Sequence, residues 1–251
     1  MLPVWLVAAP PMAPEMWGPV ARRLEGHFQP QVLDLVDGEH GDSSVEALAQ
    51  RLVQRLGPQP RGLLVAHGLA VPVAMAVGAA IPGLPLVLAN GPIGSLHPLV
   101  ASLSALSRRM GPLVQAALHP RLSAPALASS LALRRAVRNP YVMDRDTVVA
   151  ICVPSLCSPR RREATRQLLL SLPQALRSTA PIDGPALLVW GDEDRLHPPA
   201  MVDAARQRIP LLSHHRVGGG RFLHPVEQPW DLADSIIEWW AQLAPRHESR
   251  D

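Results

Sequence analysis

Short apolar runs recur along this chain, six or seven residues long, with helix-patterned segments between them. They are Val4–Ala9, Gln31–Val36, Gly62–His67, Pro85–Asn90 and Ala186–Asp192, and the more polar Ser213–Gly219 reads as a sixth strand. Runs this short and this apolar are strands buried on both faces, and helices between them make the sheet parallel. The expected fold class is therefore α/β: a mostly parallel sheet of about six strands with helices on both faces. The intervening helices show their own signals. Over Pro14–Glu25, Met16, Val20 and Leu24 fall on one face. Over Ser43–Gly57, Ser43 and Glu46 have capping-box spacing, Val45, Leu48, Leu52 and Leu56 line one face, and Gly57 ends the helix. A last helix runs over Asp231–Ala244 and carries the adjacent pair Trp239 and Trp240, one of which is expected to face outward.

The alternation stops between residues 92 and 183, where the chain is rich in Leu, Ala and Arg and has no strand-like run. The expected organisation is a core of residues 1–91 and 184–251, with residues 92–183 inserted as a helical cap. Such an insertion sits at the strand ends where open α/β sheets bind ligands. At 47% apolar residues the chain is not disordered, and no apolar run is long enough to span a membrane. The first residues, MLPVWLVAAPPMA, lack a basic start and read as a strand rather than a signal peptide. All 24 basic residues are Arg, scattered along the chain, which does not point to nucleic acid. Their one dense cluster, around Arg160, reads as a solvated helix start. Cys152 and Cys157 have neither disulfide-framework nor metal spacing, and they read as two buried thiols of a reducing cytoplasm.

The stretch LLVAHGLAVP, Leu63 to Pro72, reads as a buried strand, a sharp turn and a helix start. With VWLVAAPPMAPEMWGPVARRL, LLVWGDEDRLHPP and VGGGRFLHPVEQPWDLADSIIEWW, it resembles the α/β-hydrolase family, near the small pimeloyl-carrier methyl ester esterases. The resemblance covers nearly the whole chain, the cap being its least specific part. The family's first two strands have no counterpart in it.

What the resemblance implies for chemistry is acyl transfer by a nucleophile, a base, an orienting acid and oxyanion donors. The matching positions depart from that set. Gly68 stands at the nucleophile's place, in Ala66-His67-Gly68-Leu69-Ala70, and has no side chain to attack with. Arg221 stands at the base's place, in Gly220-Arg221-Phe222, and a guanidinium cannot accept a proton. Pro10 stands where the first oxyanion amide belongs and has no N–H. Asp194 keeps the acid's place and is expected to pair with Arg221 across the site. His67 and His224 match non-catalytic histidines of the family.

Three readings follow. In the first, the protein is a pseudoenzyme or accessory protein. It binds an apolar small molecule or acyl chain under the cap, with Pro10, Gly68, Leu69, Asp194, Arg221 and His224 lining the pocket. In the second, it is a repurposed enzyme of bacterial secondary metabolism, a cyclase, lyase or isomerase working without a covalent intermediate. In the third and weakest, it is an esterase with a displaced nucleophile such as Ser95 or Ser213. None calls for a metal or a cofactor, and a protein partner stays open.

Overall fold

The computed structural model describes residues 1–36, 41–139, 143, 145–178, 180–198 and 200–247. Its sheet has six parallel strands in the order β2-β1-β3-β4-β5-β6. They are β1 (Leu2–Ala8), β2 (Phe28–Asp34), β3 (Leu63–His67), β4 (Leu86–Ala89), β5 (Ala186–Gly191) and β6 (Leu212–Val217). All six expected strands are present. The largest shift is in β2, which starts three residues before Gln31 and takes in Pro30, paired in register with Val4. Proline costs little there because β2 is an edge strand, and a missing N–H breaks no inner ladder.

Each inner strand is buried on both faces, and its side chains alternate between two cores. Trp5, Val7, Leu64, Ala66, Leu86, Leu88, Leu188 and Trp190 point to one core, where α2 (Val45–Leu56) and α3 (Ala70–Ala80) pack. Val4, Leu6, Val65, Val87, Leu187 and Val189 point to the other, covered by α1 (Gly18–Leu24) and α12 (Pro229–His247). Two-sided burial at about 1.5–3 kcal/mol per large aliphatic side chain explains why the strands read as unbroken apolar runs. A 3₁₀ turn at Pro14–Trp17 precedes α1, so the first expected helix is two pieces. The N-cap of α2 is Ser44, whose Oγ accepts from Ala47 N–H at 3.3 Å, rather than Ser43. Ser43 instead gives its N–H to Gln167 at 2.7 Å.

Between β4 and β5 lie α4 (Pro98–Arg109), α5 (Gly111–Ala117), α6 (Pro120–Leu127), α7 (Ser130–Ala136), α8 (Arg145–Cys152) and α9 (Pro159–Ser178). A short 3₁₀ turn at Val153–Leu156 joins the last two. The segment expected to be helical is helical. α9 packs Leu168, Leu169, Leu172 and Ala175 into the same core as α2 and α3. α10 (Ala200–Arg208) and α11 (His224–Glu227) complete the chain around β6. Cys152 is buried, and burial pushes its thiol up to about 12. Cys157 is exposed, which corrects the expectation of two buried thiols. Trp239 is buried and Trp240 packs edge-on against Phe28 with ring centroids 6.3 Å apart, so neither of the paired tryptophans is a free docking residue. The described residues include no helix long and apolar enough to cross a membrane.

Candidate functional site

The turn after β3 places Gly68 at φ +58, buried, with its N–H donating 2.9 Å to the Asn90 carbonyl. That left-handed backbone is what a strand–turn–helix elbow imposes, and glycine adopts it without a Cβ penalty. A Cβ built on Gly68 would stand 3.2 Å from Phe222 Cζ. The Phe222 ring thus crowds the first atom of any side chain at this turn and would have to shift by a few tenths of an ångström to admit it. It lies between two imidazoles, with centroids 4.7 Å from His67 and 5.4 Å from His197.

Asn90 ties three strand ends together. Its carbonyl holds the Gly68 turn, its side-chain oxygen accepts from Gly191 N–H at 2.9 Å, and its amide nitrogen donates to Asp194. It is fully buried at φ +33, a positive value that Asn tolerates better than most residues. Sequence reasoning passed over Asn90 because a polar residue closing an apolar strand looks like an ordinary turn.

Asp194 is buried, and its partners are local. Its carboxylate accepts from Leu196 N–H at 2.8 Å, from His197 N–H at 3.2 Å and from Asn90. His197 Nδ1 donates to it at 2.9 Å. Burial alone would raise the Asp194 pKa, but these donors, His197 first, hold it below the usual carboxylate range. The expected Arg221–Asp194 ion pair does not form. Arg221 pairs with Glu193 at 3.1 Å and donates to the carbonyls of Arg134 at 2.6 Å and Val137 at 2.9 Å. A guanidinium carries five donors in a rigid fork, and the last carbonyls of α7 are unsatisfied acceptors. The Asp194 carboxylate already takes its hydrogen bonds from Asn90, Leu196 and His197. His197 was missed as well, although Asp-x-x-His in a tight turn places the imidazole within reach of the carboxylate.

The loop carrying Arg221 fastens the helical segment to the sheet. Besides the Arg221 contacts, Leu223 N–H donates to Ala136 at 2.8 Å, and Glu227 accepts from the N–H groups of Arg138 and Asn139 at 2.7 and 2.6 Å. A second seam joins the turn after β1 to α8 and the 3₁₀ turn that follows it. Ala13 N–H donates to Ile151 at 2.7 Å, and Ser155 Oγ donates to Met12 at 2.9 Å. Pro10, buried at the head of that turn, supplies no N–H.

His67 and His224 are fully buried, with ring centroids 6.4 Å apart. His67 Nδ1 donates to the Ala89 carbonyl at 2.9 Å, while His67 Nε2 and the His224 ring nitrogens make no hydrogen bond of good geometry among the described residues. Burial lowers His67 to about 4 and His224 to about 3, so both are neutral at pH 7. Leu69 and Phe222 are half-buried and flank Gly68. Ser95 and Ser213 are exposed, the latter on the edge strand β6. A separate cleft of about 410 Å³ opens between Glu15, Asp34, Arg55 and Arg161, with Ala13, Val32 and Pro154 also in its wall, so charged and apolar groups share it. The described residues hold no cluster of metal-ligating side chains.

This architecture is the α/β-hydrolase fold. A thermophilic esterase from Thermogutta terrifontis is similar over 97% of this chain and 90% of its own, at 20% identity and a TM-score of 0.68. The enol-lactonase from Burkholderia xenovorans LB400 matches over 96% and 92%, at 16% identity and a TM-score of 0.70. The Cif epoxide hydrolase from Acinetobacter nosocomialis matches over 94% and 81%, at 14% identity and a TM-score of 0.75. At these identities the likeness is one of fold. No family model matches the chain, and no curated protein matches it in sequence.

Proposed function

We propose that this chain is a non-hydrolytic α/β-hydrolase-fold protein. It acts as a pseudoenzyme or accessory protein that binds an apolar small molecule or acyl chain beneath the cap. The observation that carries this reading is the Phe222 ring packed over Gly68, where a nucleophile would otherwise project. Two further features support it. Arg221 spends its donors on Glu193 and on the end of α7, as a fastening rather than a base. Pro10 offers no amide to an oxyanion. The half-buried Leu69 and Phe222 beside Gly68 are the apolar surface that a ligand would meet.

The test is native mass spectrometry of the purified protein, followed by titration with a fluorescent fatty acid. Saturable binding that Phe222→Ala changes, with no product formed, is the expected result. Absence of any apolar ligand, together with ester turnover by the unaltered protein, would overturn the proposal.

The Asp194–His197 pair favours a second reading, a repurposed enzyme. A buried carboxylate that orients an imidazole at 2.9 Å is an arrangement able to move a proton without a covalent intermediate. Conversion of a small molecule from cell extract, abolished in His197→Gln, would select that reading over pure binding.

A further inference from the structure

In a helix on the surface of a water-soluble domain, leucines turn inward and serines outward. α4 does the reverse. Its buried residues are Ser104 and Ser107, which lie toward α9, where Arg166 of α9 donates 3.2 Å to the Ser107 carbonyl. Its leucines face water: Leu99 is 48% exposed, Leu103 38% and Leu106 39%. Their spacing of four and then three residues puts them on one stripe. Met110 and Leu113 follow at 45% and 54% exposed, then Leu122 and Leu131 at 60% and 62%. Seven of the eleven exposed large apolar residues among the described ones therefore fall between residues 99 and 131.

The charge of the same segment is one-sided. Residues 47–143 contain no Asp or Glu. Arg108, Arg109, Arg121, Arg134 and Arg135 are all exposed within it. Residues 91–139 also contain no Phe, Trp or Tyr, the anchors that dominate protein–protein interfaces. Aliphatic side chains beside arginines, on helices α4 to α7 that carry no carboxylate, match the surface of an anionic bilayer, where leucines enter the acyl boundary and guanidinium groups meet phosphates. A second copy docked face to face would oppose two sets of exposed arginines on helices that carry no carboxylate of their own, which charge disfavours. With no spanning helix among the described residues, the attachment is peripheral.

We propose that the outer face of the helical segment, led by Leu99, Leu103 and Leu106 and flanked by Arg108 and Arg109, docks on the surface of an anionic membrane. The proposal is independent of whether the site beneath catalyses or binds.

The experiment is co-sedimentation of the full chain with two kinds of vesicle, phosphatidylcholine alone and equal parts of phosphatidylcholine and phosphatidylglycerol. The protein is expected to sediment with the anionic vesicles, to stay in the supernatant with the neutral ones, and to be released by high salt. Arg108→Ala with Arg109→Ala is expected to lower partitioning roughly 30-fold, from the usual worth of a basic residue near an anionic surface. Leu99→Ser, Leu103→Ser and Leu106→Ser together are expected to abolish binding with the circular dichroism spectrum unchanged, since the side chains are exposed. A Leu103→Trp variant is expected to blue-shift its emission on anionic vesicles alone. Failure of the unaltered protein to sediment with anionic vesicles would overturn the proposal. So would a stable dimer that the triple serine variant dissociates, which would make the face a self-association surface.

Discussion

The Phe222 ring lies 3.2 Å from the point where a Cβ on Gly68 would stand, with His67 and His197 on either side of it. At that distance the ring crowds any side chain placed at position 68.

Gly68→Ala is expected to destabilise the protein by about 1–3 kcal/mol, because a Cβ at φ +58 is strained and also crowds Phe222. Denaturant unfolding measures it. Gly68→Ala with Phe222→Ala removes the crowding and leaves the backbone strain. The loss attributable to position 68 should therefore be smaller in the Phe222→Ala background.

Arg221→Ala is expected to leave the part-buried Val137 carbonyl without its donor, while water replaces the donor at the exposed Arg134 carbonyl, at a total cost of about 1 kcal/mol. Because these contacts fasten α7, amide hydrogen exchange should accelerate first around residues 130–139. Exchange that rises instead around Asp194 would mean that Arg221 supports the acid after all.

His67 and His224 are neutral in the folded protein, at about 4 and about 3, and titrate near 6.5 when unfolded. Below pH 6.5 the unfolded chain therefore binds more protons than the folded one. Stability should fall as pH drops from about 6.5 toward 4. The lowered pKa of Asp194 adds a second loss below about 4, as its carboxylate is protonated. His67→Gln is expected to flatten the upper part of this fall by roughly 2–3 kcal/mol. Unfolding free energy measured across that pH range reads it directly.

His197→Ala is expected to raise the pKa of Asp194, since the imidazole is the largest influence holding it down against burial. Carbon-13 titration of the Asp194 carboxyl measures the shift. The variant should lose a few kcal/mol, because a buried charge keeps fewer partners.

The sheet was legible because strands buried on both faces leave unbroken apolar runs, and Leu63–His67 and Ala186–Gly191 were placed within a residue or so. β2 was placed late because Pro30 reads as a breaker, and only its position at a sheet edge makes it harmless. The turns that carry Gly68, Asp194 and Arg221 could be placed from the sequence at the ends of β3, β5 and β6. Their partners could not. The reach of Arg221 depends on where α7 ends, and nothing local to residue 221 encodes that. Phe222 drew no notice because an aromatic beside a site residue carries no sign of whether it packs beneath the turn or over it. The outward leucines of α4 were passed over for a similar reason. Periodicity reveals that a helix has an apolar stripe but not that its serines are the buried side.

The most direct test is turnover of short p-nitrophenyl esters by the unaltered protein, by Gly68→Ser, and by the triple variant Pro10→Gly, Gly68→Ser, Arg221→His. The account predicts no turnover by the first two. A serine at 68 would meet the Phe222 ring, with no base supplied by Arg221 and no amide by Pro10. The triple variant adds a hydroxyl, an imidazole and an amide, but Asp194 is already held by His197 and Asn90 and residue 221 reaches toward α7, so little turnover is expected from it as well. Turnover by the unaltered protein that is lost on changing Ser95, Ser213 or His224 would contradict the account. So would strong activity from Gly68→Ser alone, which would reveal a working base beside the turn.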